Sequence, residues 1–85
     1  MISNNKRDDL QIARELLLLA NTGIKKTRLM YQTNLCYTHF MKYLNFLLEK
    51  QFLIEKMGNP GKLYYTTEKG HKLVDEVNNV IKLMR

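Results

Sequence analysis

The chain has 85 residues, with 14 Lys and Arg against 8 Asp and Glu, and a formal net charge of +6. A chain of this length makes one small domain, and such domains commonly gain stability from self-association or a covalent staple. The single cysteine, Cys36, excludes an intrachain disulfide and a paired-cysteine zinc site, so association remains and the chain reads as intracellular. The excess of base favours a polyanionic partner, with nucleic acid the first candidate. The longest apolar run, Leu16 to Ala20, is far short of the roughly 20 residues of a membrane span. Lys6 and Arg7 meet Asp8 and Asp9 before any apolar segment of signal-peptide length. The expectation is a cytoplasmic protein with no membrane partner.

The first periodic segment starts between Asn5 and Asp9, where Asn and Asp cap well, and continues to about Ala20. Stepping about 100° per residue places Ile12, Ala13, Leu16, Leu17, Leu19 and Ala20 on one arc. Leu18 falls outside it, either as an isolated exposed leucine or as a contact with a second subunit. Asn21-Thr22-Gly23 ends the helix, glycine supplying the positive φ of a C-terminal cap.

A short second helix is predicted over about Lys25 to Gln32, burying Leu29. Lys25, Lys26 and Arg28 crowd its beginning and oppose its dipole, a local penalty that phosphates contacted there would offset. The alternative is a merely solvated basic face. After Thr33-Asn34-Leu35, a third helix runs from about Cys36 to Lys50. Tyr37, Phe40, Met41, Leu44, Leu47 and Leu48 form its core stripe, leaving Thr38, His39, Lys42, Asn45 and Glu49 outward. From Leu16 to Leu48 the chain contains no Asp or Glu. Those outward donors suit an element entering the major groove of duplex DNA by its N-terminal end. Tyr43 and Phe46 lie off the stripe, which implies packing against the last helix or a second subunit, or else sugar or base contact.

Phe52 to Met57 and Lys62 to Thr66 read as two strands joined by Gly58-Asn59-Pro60-Gly61, a turn holding the only proline. Lys56, Lys62 and Asn59 place donors near its tip, where they can reach DNA backbone or minor groove, although an exposed hairpin needs lysines for solubility anyway.

The last helix starts at Thr67-Glu68. It lacks a capping box, because Gly70 stands three residues after Thr67, and its start is expected to be loosely held. Leu73, Val77, Val80 and Met84 recur at spacings of four, three and four, widened by Val74 and Ile81. A helix of about 19 residues would extend roughly 28 Å, beyond what a small core can cover. Leu73, Val77, Val80, Ile81 and Met84 are therefore expected at a homodimer interface, the alternative being a helix folded back on its own domain.

The inventory for an enzyme is thin. Cys36 and His39 at i and i+3 make half a metal site at most, Cys36 could otherwise serve as a redox-sensing or intersubunit thiol, and His71 reads as a surface or packing residue. Gly58 to Gly61 joins two strands and so is no phosphate cradle. No catalysis, metal, cofactor or small-molecule ligand is expected.

The fold expected is mainly α with a small β-hairpin (α+β). It is a winged helix-turn-helix domain over residues 1–66 followed by a long dimerisation helix over 67–85. Gly23, the run Lys26-Thr27-Arg28-Leu29-Met30-Tyr31, Asn34-Leu35-Cys36-Tyr37, Tyr43-Leu44, Leu47-Leu48-Glu49-Lys50 and Leu53-Ile54 carry a family resemblance. With Tyr64 and Thr67-Glu68-Lys69-Gly70, they resemble the archaeal winged-helix regulators that include the Sso-ten-a type. The resemblance implies a dimeric DNA-binding regulator or architectural protein of the nucleoid, with the last helix in an antiparallel coiled coil. Three positions depart from the family pattern: Cys36 replaces a capping residue, Gln51 a helix-ending glycine and Thr66 an apolar side chain. Lys25, Lys26, Arg28, Lys56, Asn59 and Lys62 are expected to position double-stranded DNA. Thr38, His39, Lys42, Tyr37 and Asn45 are expected to meet bases or nearby phosphates. The competing function is a winged-helix module that grips another protein in a transcription or replication assembly.

Overall fold

Asp8 opens the first helix with a full capping box, its carboxylate accepting from the Gln11 amide at 2.8 Å and the Gln11 side chain accepting from the Asp8 amide. The computed structural model describes residues 8–58 and 61–85. Their order is α1 (Asp9–Leu19), α2 (Lys26–Thr33), α3 (Tyr37–Glu49), β1 (Leu53–Gly58), β2 (Gly61–Thr66) and α4 (Glu68–Leu83). Among the described residues, four helices and one two-stranded antiparallel sheet make the fold mainly α with a small β-hairpin.

The first helix is the centre of the core. Ile12, Ala13, Leu16, Leu17 and Ala20 are buried together with Leu29 of α2, Phe40, Leu44 and Leu47 of α3, Leu53, Tyr64 and Val74. Leu18 is 48% exposed, as its place off the arc predicts. In α3 the stripe is shorter than expected: Tyr37 is 61% exposed, because it is the first residue of the helix and burial begins only at Phe40. The one buried polar side chain among the described residues, Thr33, is satisfied by donating its hydroxyl to the Leu29 and Met30 carbonyls.

Gln51 explains its departure from the family pattern. It holds φ +65°, and the Phe52 and Gln51 amides donate back to the Leu47 and Leu48 carbonyls at 2.8 and 3.1 Å, a Schellman ending for α3. A glutamine tolerates that backbone region at a cost that glycine avoids. Gln51→Gly is therefore expected to raise stability by about 1 kcal/mol, read as a higher urea midpoint at unchanged slope.

The hairpin pairs Leu53 with Thr66 through to Gly58 with Gly61. Asn59 and Pro60 of its turn lie outside the described residues, and with them the expected contact of Asn59. Ile24, between α1 and α2, forms an isolated bridge with Tyr64 through two backbone hydrogen bonds of 3.1 and 2.8 Å. Periodicity does not reveal a bridge one residue long. Thr66, which stands where the family carries an apolar side chain, donates its hydroxyl to the Leu17 carbonyl.

The start of α4 is tied down, contrary to the expectation from the missing capping box. The Thr67 amide donates to the Phe52 carbonyl at 3.0 Å, its hydroxyl donates to the Gln51 carbonyl at 2.7 Å, and the same oxygen accepts from the Gly70 amide. This helix spans 16 residues rather than about 19. Val77, expected on the dimer seam, is 2% exposed within the single chain, where α4 packs against α1. Val80 and Met84 remain open at 43% and 61%, with Leu73 and Ile81 half-buried. Among the described residues no helix is long and apolar enough to cross a membrane.

Candidate nucleic-acid interface

The four helices begin in two different ways. The starts of α1 and α4 carry side-chain caps from Asp8 and Thr67 and an acid in the first turn, Asp9 or Glu68. The starts of α2 and α3 have Lys25 and Cys36 at the cap position, no side-chain cap and no acid in the first turn. Both therefore present first-turn amides without a side-chain acceptor, at the positive end of the helix dipole. Lys25, Lys26 and Arg28 are exposed at one of these starts, and Tyr37, Thr38 and His39 at the other. Such an end attracts anions.

Along α3, Thr38, His39, Lys42 and Asn45 are exposed on the side away from Phe40, Leu44 and Leu47. Tyr37 joins them at the exposed end. Tyr31, at the other side of the turn, is 83% exposed and was not singled out by patterning, since a tyrosine at a short helix's end gives no periodic signal.

The two hairpin lysines do not act together. Alternation along the strands and the observed register put Lys62 on one face with Glu55, Met57 and Tyr64, and Lys56 on the other with Ile54, Leu63 and Tyr65. Lys62 joins Lys25 and Lys26 around an open cleft of about 420 Å³, lined also by Thr27, Gly61 and Tyr64. The Ile24–Tyr64 bridge causes this, because it fastens the start of α2 to β2. Lys56 instead lies over the Tyr65 ring, 5.3 Å from its centroid. Parity across the turn was the available sequence signal, and it separates positions 56 and 62.

Glu55 is the acid beside this basic cleft, its oxygen 3.5 Å from Lys62 Nζ with both side chains well exposed. Burial, reinforced by the Glu55 charge and hydrogen bond and opposed by Lys62, holds the Tyr64 phenol above its ordinary value, so it stays a protonated donor. No cluster of three or more His, Cys, Asp or Glu placed to hold a metal occurs among the described residues, and Cys36 is an exposed free thiol.

A profile of proteins described as winged helix-turn-helix matches residues 6–85. The chain belongs to the winged helix-turn-helix family. In that frame α2 and α3 are the helix-turn-helix and the β1–β2 hairpin is the wing. The chain is similar to Sso10a-2, a DNA-binding protein from Sulfolobus solfataricus, at 29% identity and a TM-score of 0.81 over 92% of this chain and 82% of that one. This bears out the resemblance to the archaeal winged-helix proteins. SSV1 F-93 shares the fold at 21% identity and TM-score 0.72, covering 96% of this chain and 90% of its own. A MarR-family transcriptional regulator from Rhodococcus sp. RHA1 shares it at 19% identity and TM-score 0.71, over 84% of this chain and 54% of that one. Among curated proteins none matches the chain.

Proposed function

We propose that this protein binds double-stranded DNA, with α3 in the major groove and the wing against the backbone, as a transcriptional regulator or an architectural protein of the nucleoid. The observation that carries the reading is the pair of uncapped, acid-free starts of α2 and α3, the first of them lining a cleft of Lys25, Lys26 and Lys62. Similarity to a DNA-binding protein from Sulfolobus supports it. Lys25, Lys26, Arg28 and Lys62 position phosphates, while Tyr37, Thr38, His39, Lys42 and Asn45 face bases or nearby phosphates. Lys56 contributes from the opposite face of the wing. Binding, not catalysis, is the role assigned to these groups.

The functional unit is a homodimer closed by the open part of the α4 seam, Leu73, Val80, Ile81 and Met84, with residues 67–85 serving both the core and the partner. Two equivalent α3 helices then meet major grooves about 34 Å apart, or a multiple of that distance. A concentration-independent monomer in solution would remove the dimer.

Titrating a labelled duplex with protein across a salt series tests DNA binding. Affinity is expected to fall steeply as salt rises, and absent or salt-insensitive binding refutes the reading. Comparing random with selected duplexes in one salt separates architectural from sequence-specific binding. Glu55 gives a sharper check. Its exposed pair with Lys62 competes with phosphate, so Glu55→Gln is expected to tighten duplex binding about threefold to tenfold and to steepen the salt dependence by about one contact.

A further inference from the structure

The wing face that meets α2 carries one donor that the duplex contacts assigned above leave out. Tyr64 lines the cleft of Lys25, Lys26 and Lys62, and its side chain belongs to the buried core, with 6% of the residue exposed. Its strand is paired on both edges, with Glu55 across the hairpin and with Ile24 through backbone bonds of 3.1 and 2.8 Å. The phenol is therefore held in place before any partner arrives, whereas a lysine must give up rotamer freedom to hold an anion.

Glu55 stands directly opposite Tyr64 in the register, on the same face of the hairpin. Its carboxylate accepts from the Tyr64 phenol, and one of its oxygens lies 3.5 Å from Lys62 Nζ. One anion thus serves two donors of the cleft, a neutral hydroxyl and an ammonium. A phosphodiester offers the same chemistry, two oxygens sharing one negative charge, and at this place it would also gain Lys25 and Lys26. The Glu55 side chain is 42% exposed, so its carboxylate can turn into water when displaced. The phenol cannot follow, because its ring is packed in the core, and without a new acceptor it would be left unsatisfied.

We infer that Glu55 holds the place of a backbone phosphate in the free protein, and that Tyr64 and Lys62 pass together from its carboxylate to that phosphate when duplex DNA binds. Tyr64 is then a DNA-contacting residue of the wing, and Glu55 is an internal competitor for both donors. The hand-over rests on the proposed DNA binding and adds to it a contact that carries no charge. Such a contact contributes affinity without releasing a counterion, so its loss leaves the salt dependence as it was.

Duplex titrations across a salt series, comparing the wild-type chain with Tyr64→Phe, Glu55→Gln and the double variant, test this. Tyr64→Phe keeps the buried ring, and circular dichroism with thermal melts checks that each variant folds. Tyr64→Phe is expected to weaken binding about threefold to fivefold, with the slope of log affinity against log salt unchanged. In the Glu55→Gln background, where the phenol gives up less on leaving its partner, the same change should cost about tenfold. A hydroxyl that only steered Glu55 would have no effect there. No loss in that background overturns the hand-over, and so does undiminished affinity of Tyr64→Phe alone or a slope lower by a full contact. A second readout leaves Tyr64 intact. With ring-carbon-labelled tyrosine, Glu55→Gln should move the Tyr64 NMR resonance in the free protein, and the two duplex complexes should share one position. A difference that persists undiminished in the complexes overturns the hand-over. A wild type that binds no duplex refutes the proposed function and takes the hand-over with it, whereas wild-type binding with an indifferent Tyr64 refutes the hand-over alone.

Discussion

Gly70→Ala is expected to cost at least about 3 kcal/mol, a large share of the roughly 5–15 kcal/mol that holds a small domain folded. A Cβ on Gly70 would stand 2.3 Å from the Phe52 carbonyl oxygen and 2.7 Å from Thr66 Cγ2. The carbonyl has no room to yield, because the Thr67 amide donates to it at 3.0 Å and the preceding Phe52 amide closes α3 through Leu47. The first turn of α4 must then lift away, taking Val74 and Val77 out of their packing against α1. Alanine's better helix propensity returns only about 1 kcal/mol. Urea unfolding followed by circular dichroism reads the loss. An unchanged or higher midpoint would show that α4 shifts off Phe52 freely.

Removing the cations at the start of α2 should move function and stability in opposite directions. In the triple variant Lys25→Ala, Lys26→Ala, Arg28→Ala, duplex affinity at low salt is expected to fall about a hundredfold to a thousandfold. The slope of log affinity against log salt should flatten by about three contacts. The folded state loses nothing, since all three side chains are exposed at a helix start that carries no acid. Relief of their clash with the dipole should instead raise stability by up to about 1 kcal/mol. Duplex titrations across salt and thermal melts of the same samples give both readouts. Undiminished affinity with an unchanged slope would remove this face from the DNA contact, whatever the melt shows.

Most of the elements were legible in the chain itself, because what specifies them is local. The α1 arc from Ile12 to Ala20 is a matter of spacing, and it is buried as the spacing implies. The outward set on α3, Thr38 to Asn45, follows from the same period, and so does the isolation of Leu18. Gln51 was marked by the resemblance alone, standing where the family carries a helix-ending glycine, and the structure shows it in the left-handed region at φ +65°. Tyr37 was misjudged because a wheel treats every turn alike, whereas the first residue of a helix has no neighbour to cover it.

The candidate site was legible only in its parts. Composition showed that Lys25, Lys26 and Lys62 were cations in suitable elements, but their union depends on the Ile24–Tyr64 bridge between segments 40 residues apart. The same register sends Lys56 to the opposite face. Val77 fits the dimer seam by spacing and is buried in its own chain by α1, a choice between two partners that periodicity cannot make. Gly70 looked like a weakness in a cap, and proved to be the gap that lets Phe52 and Thr66 approach α4.

Sequence alone determined the order of the elements, their buried faces and the carboxylate-free stretch from Leu16 to Leu48, because helical period, capping and charge act over a few residues. Tertiary structure decided which cations share a cleft, which seam residues of α4 stay open and where Phe46 and Phe52 line a cleft. Those outcomes depend on distances between side chains remote in sequence, which are set only once α1, α4 and the wing pack around one core.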